Sequence, residues 1–200
     1  MTSFDERAPD WDTPERAARA HDAASVILDA VAPASDARVL ELGAGTGLLG
    51  LALLPHVREV VLADASPGML AKAEEKLATG AYPGARTMRL ALTIDALPDD
   101  RFDLVVSLMA LHHVLDTRVA LGQVAHLLAP GGRIALIDLE VEDGTFHSDP
   151  ADPVLHGFDR DALRGQAEAA GFRDVAFRAC GALEKDGRAY PLFLVTATRA

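Results

Sequence analysis

The stretch Arg38-Val39-Leu40-Glu41-Leu42-Gly43-Ala44-Gly45-Thr46-Gly47 decides the reading of this chain. An apolar run of strand length ends beside an acidic residue, passes through glycines at alternate positions, and gives way to a helical pattern near Thr46. Glycine has no Cβ, so Gly43, Gly45 and Gly47 are free to take positive φ and to let a ligand lie against the main chain. A helix starting there adds unpaired N–H groups and the positive end of its dipole. A second apolar run, Val60-Val61-Leu62-Ala63, ends in Asp64. That is about 20 residues beyond the loop, the distance at which an acidic side chain accepts hydrogen bonds from ribose hydroxyls. The two segments outline a nucleoside pocket; a purely structural strand-to-helix turn would need one glycine rather than this series.

Outward from this stretch, apolar runs alternate with helical patterns, which is the signature of an α/β parallel sheet with helices on both faces. Strands are expected over Arg38 to Leu42, Glu59 to Ala63, Arg86 to Leu90, Phe102 to Leu108 and Arg133 to Leu139. Ser66 and Pro67 punctuate the start of one helix, with Leu70, Ala73 and Leu77 on one face and Gly80 at its stop. Asp116 precedes a second, with Leu121, Val124, Ala125 and Leu128 at helical spacing before Pro130-Gly131-Gly132. Asp159 opens a third that reaches Gly171. Pro14 to Val31 forms an amphipathic helix with two open readings, a cover over the ligand or a helix packed on the sheet edge. Trp11, just ahead of it, reads either as a lid contact or as packing. After Gly171, Arg173 to Ala179 and Tyr190 to Thr198 are strand-like and joined by the polar stretch Glu184 to Arg188, so a hairpin is expected.

Length and composition narrow the function classes. The 200 residues, half of them hydrophobic, suffice for one domain with one core, read here as residues 1–200. A net charge of −11 repels phosphate backbones, so a small-molecule substrate is expected rather than a nucleic acid. Cys180 is the one cysteine, the first residues lack the pattern of a signal peptide, and no apolar run is long enough to span a bilayer. A cytoplasmic protein with no membrane partner is expected.

The glycine loop admits two registers. Gly45-Thr46-Gly47-Leu48-Leu49-Gly50 matches a dinucleotide fingerprint. The other register, Glu41-x-Gly43-x-Gly45-x-Gly47, uses the first turn after the strand and sets a carboxylate beside the ligand, which repels a pyrophosphate and tolerates a cation.

In this second register the sequence resembles the class I S-adenosylmethionine-dependent methyltransferases, over most of its length. Glu41 to Gly47 looks like that family's first motif and Asp64-Ala65-Ser66-Pro67-Gly68-Met69-Leu70 like its second. Phe102 to Ser107 with Ala110-Leu111-His112-His113, then Leu128 to Gly132, and finally Ala169-Ala170-Gly171-Phe172 continue the likeness in order. The resemblance implies a Rossmann-like, doubly wound, seven-stranded and mostly parallel sheet with a C-terminal antiparallel hairpin, and a helical lid within residues 1–31. It implies S-adenosylmethionine as cofactor, contacted by Glu41, Gly43, Ala44, Gly45 and Gly47, with Asp64 and Ala65 at the ribose, Met69 at the adenine face and Ser107 near the methionine amino group. Met69 alone reads more readily as core, and its place in the second motif makes the two readings equal. Thr93 stands where many relatives carry an acidic residue, so the adenine edge is expected to rely on Thr93 and Ile94, or on Asp95 in a shifted register.

Methyl transfer from a sulfonium is an in-line displacement, and aligning donor with acceptor while excluding water can suffice. A hydroxyl or protonated amine acceptor benefits from a general base, and histidine suits that role near neutral pH. His112 and His113 follow the fourth strand, at the edge where open α/β sheets bind ligands, and His147 and His156 lie in the polar stretch Glu140 to Phe158 at the same edge. His113, His147 and His156 are therefore the candidate bases, each equally open to a reading as solvated loop. No metal is expected, because His112, His113, His147, His156 and Asp143 lack a recognisable ligand spacing. The competing functions are an NAD(P)-dependent oxidoreductase and a non-catalytic S-adenosylmethionine-binding protein.

Overall fold

The computed structural model describes residues 3–147 and 153–200. In chain order the elements are α1 (Ser3–Arg7), α2 (Pro14–Val31), β1 (Arg38–Leu42), α3 (Leu48–Leu53), β2 (Glu59–Asp64), α4 (Pro67–Leu77), β3 (Ala85–Arg89), β4 (Phe102–Leu108), α5 (Thr117–Leu127), β5 (Leu128–Leu139), α6 (Arg160–Ala169), β6 (Phe172–Lys185) and β7 (Arg188–Arg199). They build one seven-stranded sheet in the order β3-β2-β1-β4-β5-β7-β6. Strands β1 to β5 run parallel to one another, and β7 is antiparallel to both β5 and β6. This is the expected doubly wound α/β sheet with its C-terminal hairpin.

Strand alternation divides the core in two. Val39, Val60, Leu62, Leu104 and Val106 face one way and pack with Ala20, Ile27, Leu49, Leu53 and Ala73 of α2, α3 and α4. Leu40, Leu42, Val61 and Val105 face the other way and meet Leu121, Val124, Leu163 and Ala167 of α5 and α6. The period of two in the strands against 3.6 in the helices is what makes both faces apolar.

Two local details sharpen the sequence reading. The hairpin turn is the pair Asp186-Gly187, both at positive φ, closed by the Lys185–Arg188 pair, the conformation that a two-residue turn between twisted strands demands. The helix expected near Thr46 begins at Leu48 instead, after Gly47 at φ +85. Of the two readings of Pro14 to Val31, packing is the one the contacts favour: α2 lies on α3, β5 and β7. The residues that reach the glycine loop are those just before it. Among the described residues no helix is long and apolar enough to cross a membrane.

The order β2-β1-β4 means that the chain leaves β1 in one direction and returns to its other side at β4, so the C-terminal ends of β1 and β4 flank the crevice where ligands of such sheets bind. Ser107, buried at the end of β4, donates its hydroxyl to the Leu42 carbonyl at 2.9 Å and stitches the two strand ends together.

Candidate cofactor cleft and histidine cluster

The glycine loop at the end of β1 is held by Asp64, whose carboxylate accepts from the Gly45 N–H at 2.7 Å and from the Ser66 N–H at 2.8 Å. Burial raises the Asp64 pKa, offset in part by the N–H groups of Ser66, Gly45 and Ala65. Each carboxylate oxygen keeps lone-pair capacity beyond these bonds.

The loop glycines do different work. A methyl group at Gly43 would meet the Ala110 Cβ at 2.3 Å, and one at Gly47 would meet Leu62 Cδ1 at 2.7 Å, so both positions serve close packing of the loop on its own fold. Gly45 alone opens towards the cleft, where a Cβ would stand 3.4 Å from Trp11 Nε1 and 3.8 Å from Met69 Sδ. Ala44 and Met69 are buried, Ala65 is exposed, and the Met69 sulfur borders the nook at Gly45.

Glu41 points away from the cleft into α3, accepting the Gly50 N–H at 2.8 Å. Burial pushes its carboxyl up to about 8; that hydrogen bond and Lys76 pull it down, while the Asp64 charge pushes it further up. Its attraction for a cation is therefore muted near neutral pH, contrary to the simple charge argument from the sequence. The same hydrogen bond occupies a donor at the start of α3 that a pyrophosphate would need, which disfavours the dinucleotide register. On the far side, Thr93 takes φ +68 and gives its N–H to Gln123 Oε1 at 2.7 Å, Asp95 accepts the Ala91 N–H at 2.8 Å, and Ile94 is 81% exposed.

The segment before α2 covers the loop. Asp5 accepts from Ser66 Oγ at 2.6 Å and from Gly68 N–H at 2.9 Å; Asp12 accepts from Thr46 Oγ1 and pairs with Lys76 at 2.6 Å. Between these two latches Trp11 lies on Gly45, with the Arg16 guanidinium 4.2 Å over the indole ring. Phe4 meets Trp11 edge-on at 5.8 Å and His113 at 5.0 Å.

His113 opens onto the second half of the site. His112, 1% exposed, sets its Nδ1 2.7 Å from Asp138 Oδ1 and its Nε2 2.9 Å from His147 Nε2. Ring centroids lie 4.3 Å apart for His112 and His113, and 5.1 Å for His113 and His147. Phe146 contacts His147 and Tyr190 edge-on. His156 stands elsewhere, 3.6 Å from Glu142 Oε1 and packed on Gly144, while Asp143 pairs with Arg188 at the surface. Residues 148–152 of the stretch Glu140 to Phe158 lie outside the described residues.

Two neighbours of the cluster escaped the sequence reading, Asp138 and Phe4, whereas Phe146 belongs to the polar stretch that the sequence placed at this edge. Asp138 carried a signal, since a carboxylate inside the apolar run Ile134 to Leu139 must find a partner when buried. Phe4 carried none, because edge-on ring contacts leave no periodic trace.

This fold and this loop are similar to those of class I S-adenosylmethionine-dependent methyltransferase domains, and the likenesses to known proteins support that class, whose cofactor is S-adenosylmethionine. A family model described as a methyltransferase domain matches residues 40–134. An uncharacterized methyltransferase of Mycobacterium tuberculosis is 33% identical over 60% of this chain and 61% of its own length. A demethylmenaquinone methyltransferase of Clavibacter sepedonicus is 34% identical over 65% of this chain and 49% of its own. The chain thus spans less than two thirds of either relative. In fold, a methyltransferase from Haloferax volcanii, solved with its activator Trm112, superposes with a TM-score of 0.80 at 19% identity, covering 99% of this chain and 98% of that one.

Proposed function

We propose that this protein transfers the methyl group of S-adenosylmethionine to a small-molecule acceptor held between the cofactor cleft and the histidine cluster. One observation carries the reading: an unbroken series of contacts, Gly45 to Trp11 to Phe4 to His113 to His112 and His147, joins the glycine loop to a cluster of histidine rings. Donor and acceptor sites at one sheet edge are what an in-line displacement needs.

In this reading Asp64 receives the ribose hydroxyls, with Ala65 beside it. Gly43 to Gly47 and Ser107 offer main chain to the methionine part, and Met69 with Thr93 and Ile94 borders the adenine. Glu41 acts indirectly, by fixing α3 behind the loop. Residues 4–12 are the lid, since the Asp5 and Asp12 latches hold Trp11 where the ligand must pass. His113 and His147 face the acceptor, and His156, engaged with Glu142, stays outside the reaction. The net charge of −11 favours a small acceptor over a nucleic acid. The name of the Clavibacter relative is consistent with such a molecule.

Calorimetry with S-adenosylmethionine and with NAD, followed by a screen of phenols, amines and thiols for release of S-adenosylhomocysteine, tests the proposal. Binding of S-adenosylmethionine and product release with one acceptor class are expected. Tight NAD binding without a response to S-adenosylmethionine would reverse the assignment, and cofactor binding with no product from any acceptor would leave a binding module instead of an enzyme.

A further inference from the structure

We infer that His112, His113 and His147 form a binding site for a divalent transition metal of the zinc class, placed to bind the acceptor's oxygen. The substrate part of this inference rests on the methyltransferase reading; the metal part does not. The nitrogen atoms that the three imidazoles offer all lie within 4.8 Å of one another. Tetrahedral zinc, at about 2.0–2.1 Å from each nitrogen, holds its ligands roughly 3.3 Å apart. The 2.9 Å between His112 Nε2 and His147 Nε2 and the 4.8 Å limit bracket that separation, so small ring rotations suffice.

Orientation is the stronger argument. Asp138 is 1% exposed, and its carboxylate accepts from His112 Nδ1 at 2.7 Å, from the His112 N–H at 3.3 Å and from the Leu139 N–H at 2.7 Å. With its proton on Nδ1, His112 must direct the Nε2 lone pair at the other two rings. A buried carboxylate behind one imidazole, fixing tautomer and direction, is the arrangement by which proteins orient metal-bound histidines. His112 is buried in the core, while His113 and His147 are half-buried.

The ligand set indicates the metal and its use. Three imidazoles suit zinc, copper, iron or nickel rather than magnesium or calcium. Among the described residues the site has three neutral ligands, which leave a coordination position for a water or a substrate, the pattern of catalytic sites and not of closed structural ones. Phe4 packs on His113 and Phe146 on His147, which makes the surroundings of the histidines aromatic, so the acceptor class that fits is a phenol or enol. Bound to the metal, its hydroxyl loses a proton to solvent at neutral pH. A lone pair of the resulting anion forms the bond to the methyl carbon as the carbon–sulfur bond of the sulfonium breaks. That pair stays on sulfur, leaving S-adenosylhomocysteine and the methylated acceptor.

Adjacent histidines joined to a third 35 residues away match no ligand spacing, so only the meeting of the β4 and β5 ends makes the cluster visible.

The test uses the full chain, stripped with a chelator and titrated with Zn²⁺ by calorimetry and with Co²⁺ by visible absorption. One equivalent of Zn²⁺ and the intense bands of low-coordinate cobalt are expected. His147→Gln and His113→Gln should each abolish the cobalt bands, and Asp138→Asn should weaken Zn²⁺ about 10- to 100-fold. His156→Gln should bind metal as the parent does. No Zn²⁺ binding by the parent, or cobalt spectra unaltered in both His113→Gln and His147→Gln, would overturn the inference. Affinity for S-adenosylmethionine, measured on the same stripped protein, separates the two readings: cofactor binding without metal binding overturns the site alone, and metal binding without cofactor binding overturns the methyltransferase assignment alone.

Discussion

Replacing Glu41 by glutamine is expected to make the protein more stable in neutral solution and to flatten its pH dependence. Glu41 is 3% exposed on a central strand, and its Oε2 accepts the Gly50 N–H at 2.8 Å. Burial pushes the carboxyl up to about 8 from an ordinary value of 4.5. A carboxyl whose folded pKa is raised contributes its stability fully below the unfolded pKa and loses it as pH rises through the folded one. The window therefore runs from about pH 4.5 to pH 8, at a slope of about 1.4 kcal/mol per pH unit. Between pH 5 and pH 7 the parent should lose about 2–3 kcal/mol from this group. Glutamine keeps an acceptor for Gly50 and has no proton to lose. The gap between variant and parent should thus widen by the same amount over that range. Urea unfolding at pH 5, 6, 7 and 8 measures it directly. Parallel pH profiles for the two proteins would show that Glu41 ionises in the fold without penalty, and the account of its burial would fail.

The loop supplies a matched pair of perturbations. Gly43→Ala forces a methyl to 2.3 Å from Ala110 at φ +64 and should cost about 2–4 kcal/mol of stability, whereas Gly45→Ala, with 3.4 Å to the indole at φ +56, should cost about 1–2 kcal/mol and weaken the cofactor; equal melting temperatures for the two variants would contradict this division of roles. Asp64→Ala removes the proposed ribose acceptor and the hold on Gly45, and should weaken S-adenosylmethionine by about 10- to 100-fold in calorimetry, from the 1.5–3 kcal/mol typical of hydrogen bonds to a charged group. Unchanged affinity would remove Asp64 from the site. Trp11→Ala should speed both association and dissociation of a fluorescent S-adenosylhomocysteine analogue in stopped-flow mixing, the ligand reporting because Trp11 is the one tryptophan, and identical rates would take the indole off the ligand's path.

Much of the architecture was legible before any coordinates. Strand-length apolar runs such as Val60 to Ala63, caps at Ser66, Asp116 and Asp159, and the Asp186-Gly187 turn act over a few residues, and local physics is what a sequence displays. Boundaries moved where tertiary pairing extends a strand past its apolar run, as β6 does to Lys185 along β7. The cofactor loop was equally visible as a pattern, yet its glycines looked interchangeable. That Gly43 and Gly47 answer to Ala110 and Leu62, leaving Gly45 to face the cleft, follows from neighbours that arrive from β4 and β2.

By itself the sequence determined the sheet, its helices and the carboxylate at the end of β2, because periodicity, capping and turn chemistry are short-range. Only the tertiary structure decided which histidines meet, that Asp138 stands behind His112, that Glu41 turns inwards, and that Trp11 rather than α2 covers the loop. Those outcomes depend on where separate strands end in space. A one-dimensional pattern records the order of the strands and not the distance between their tips.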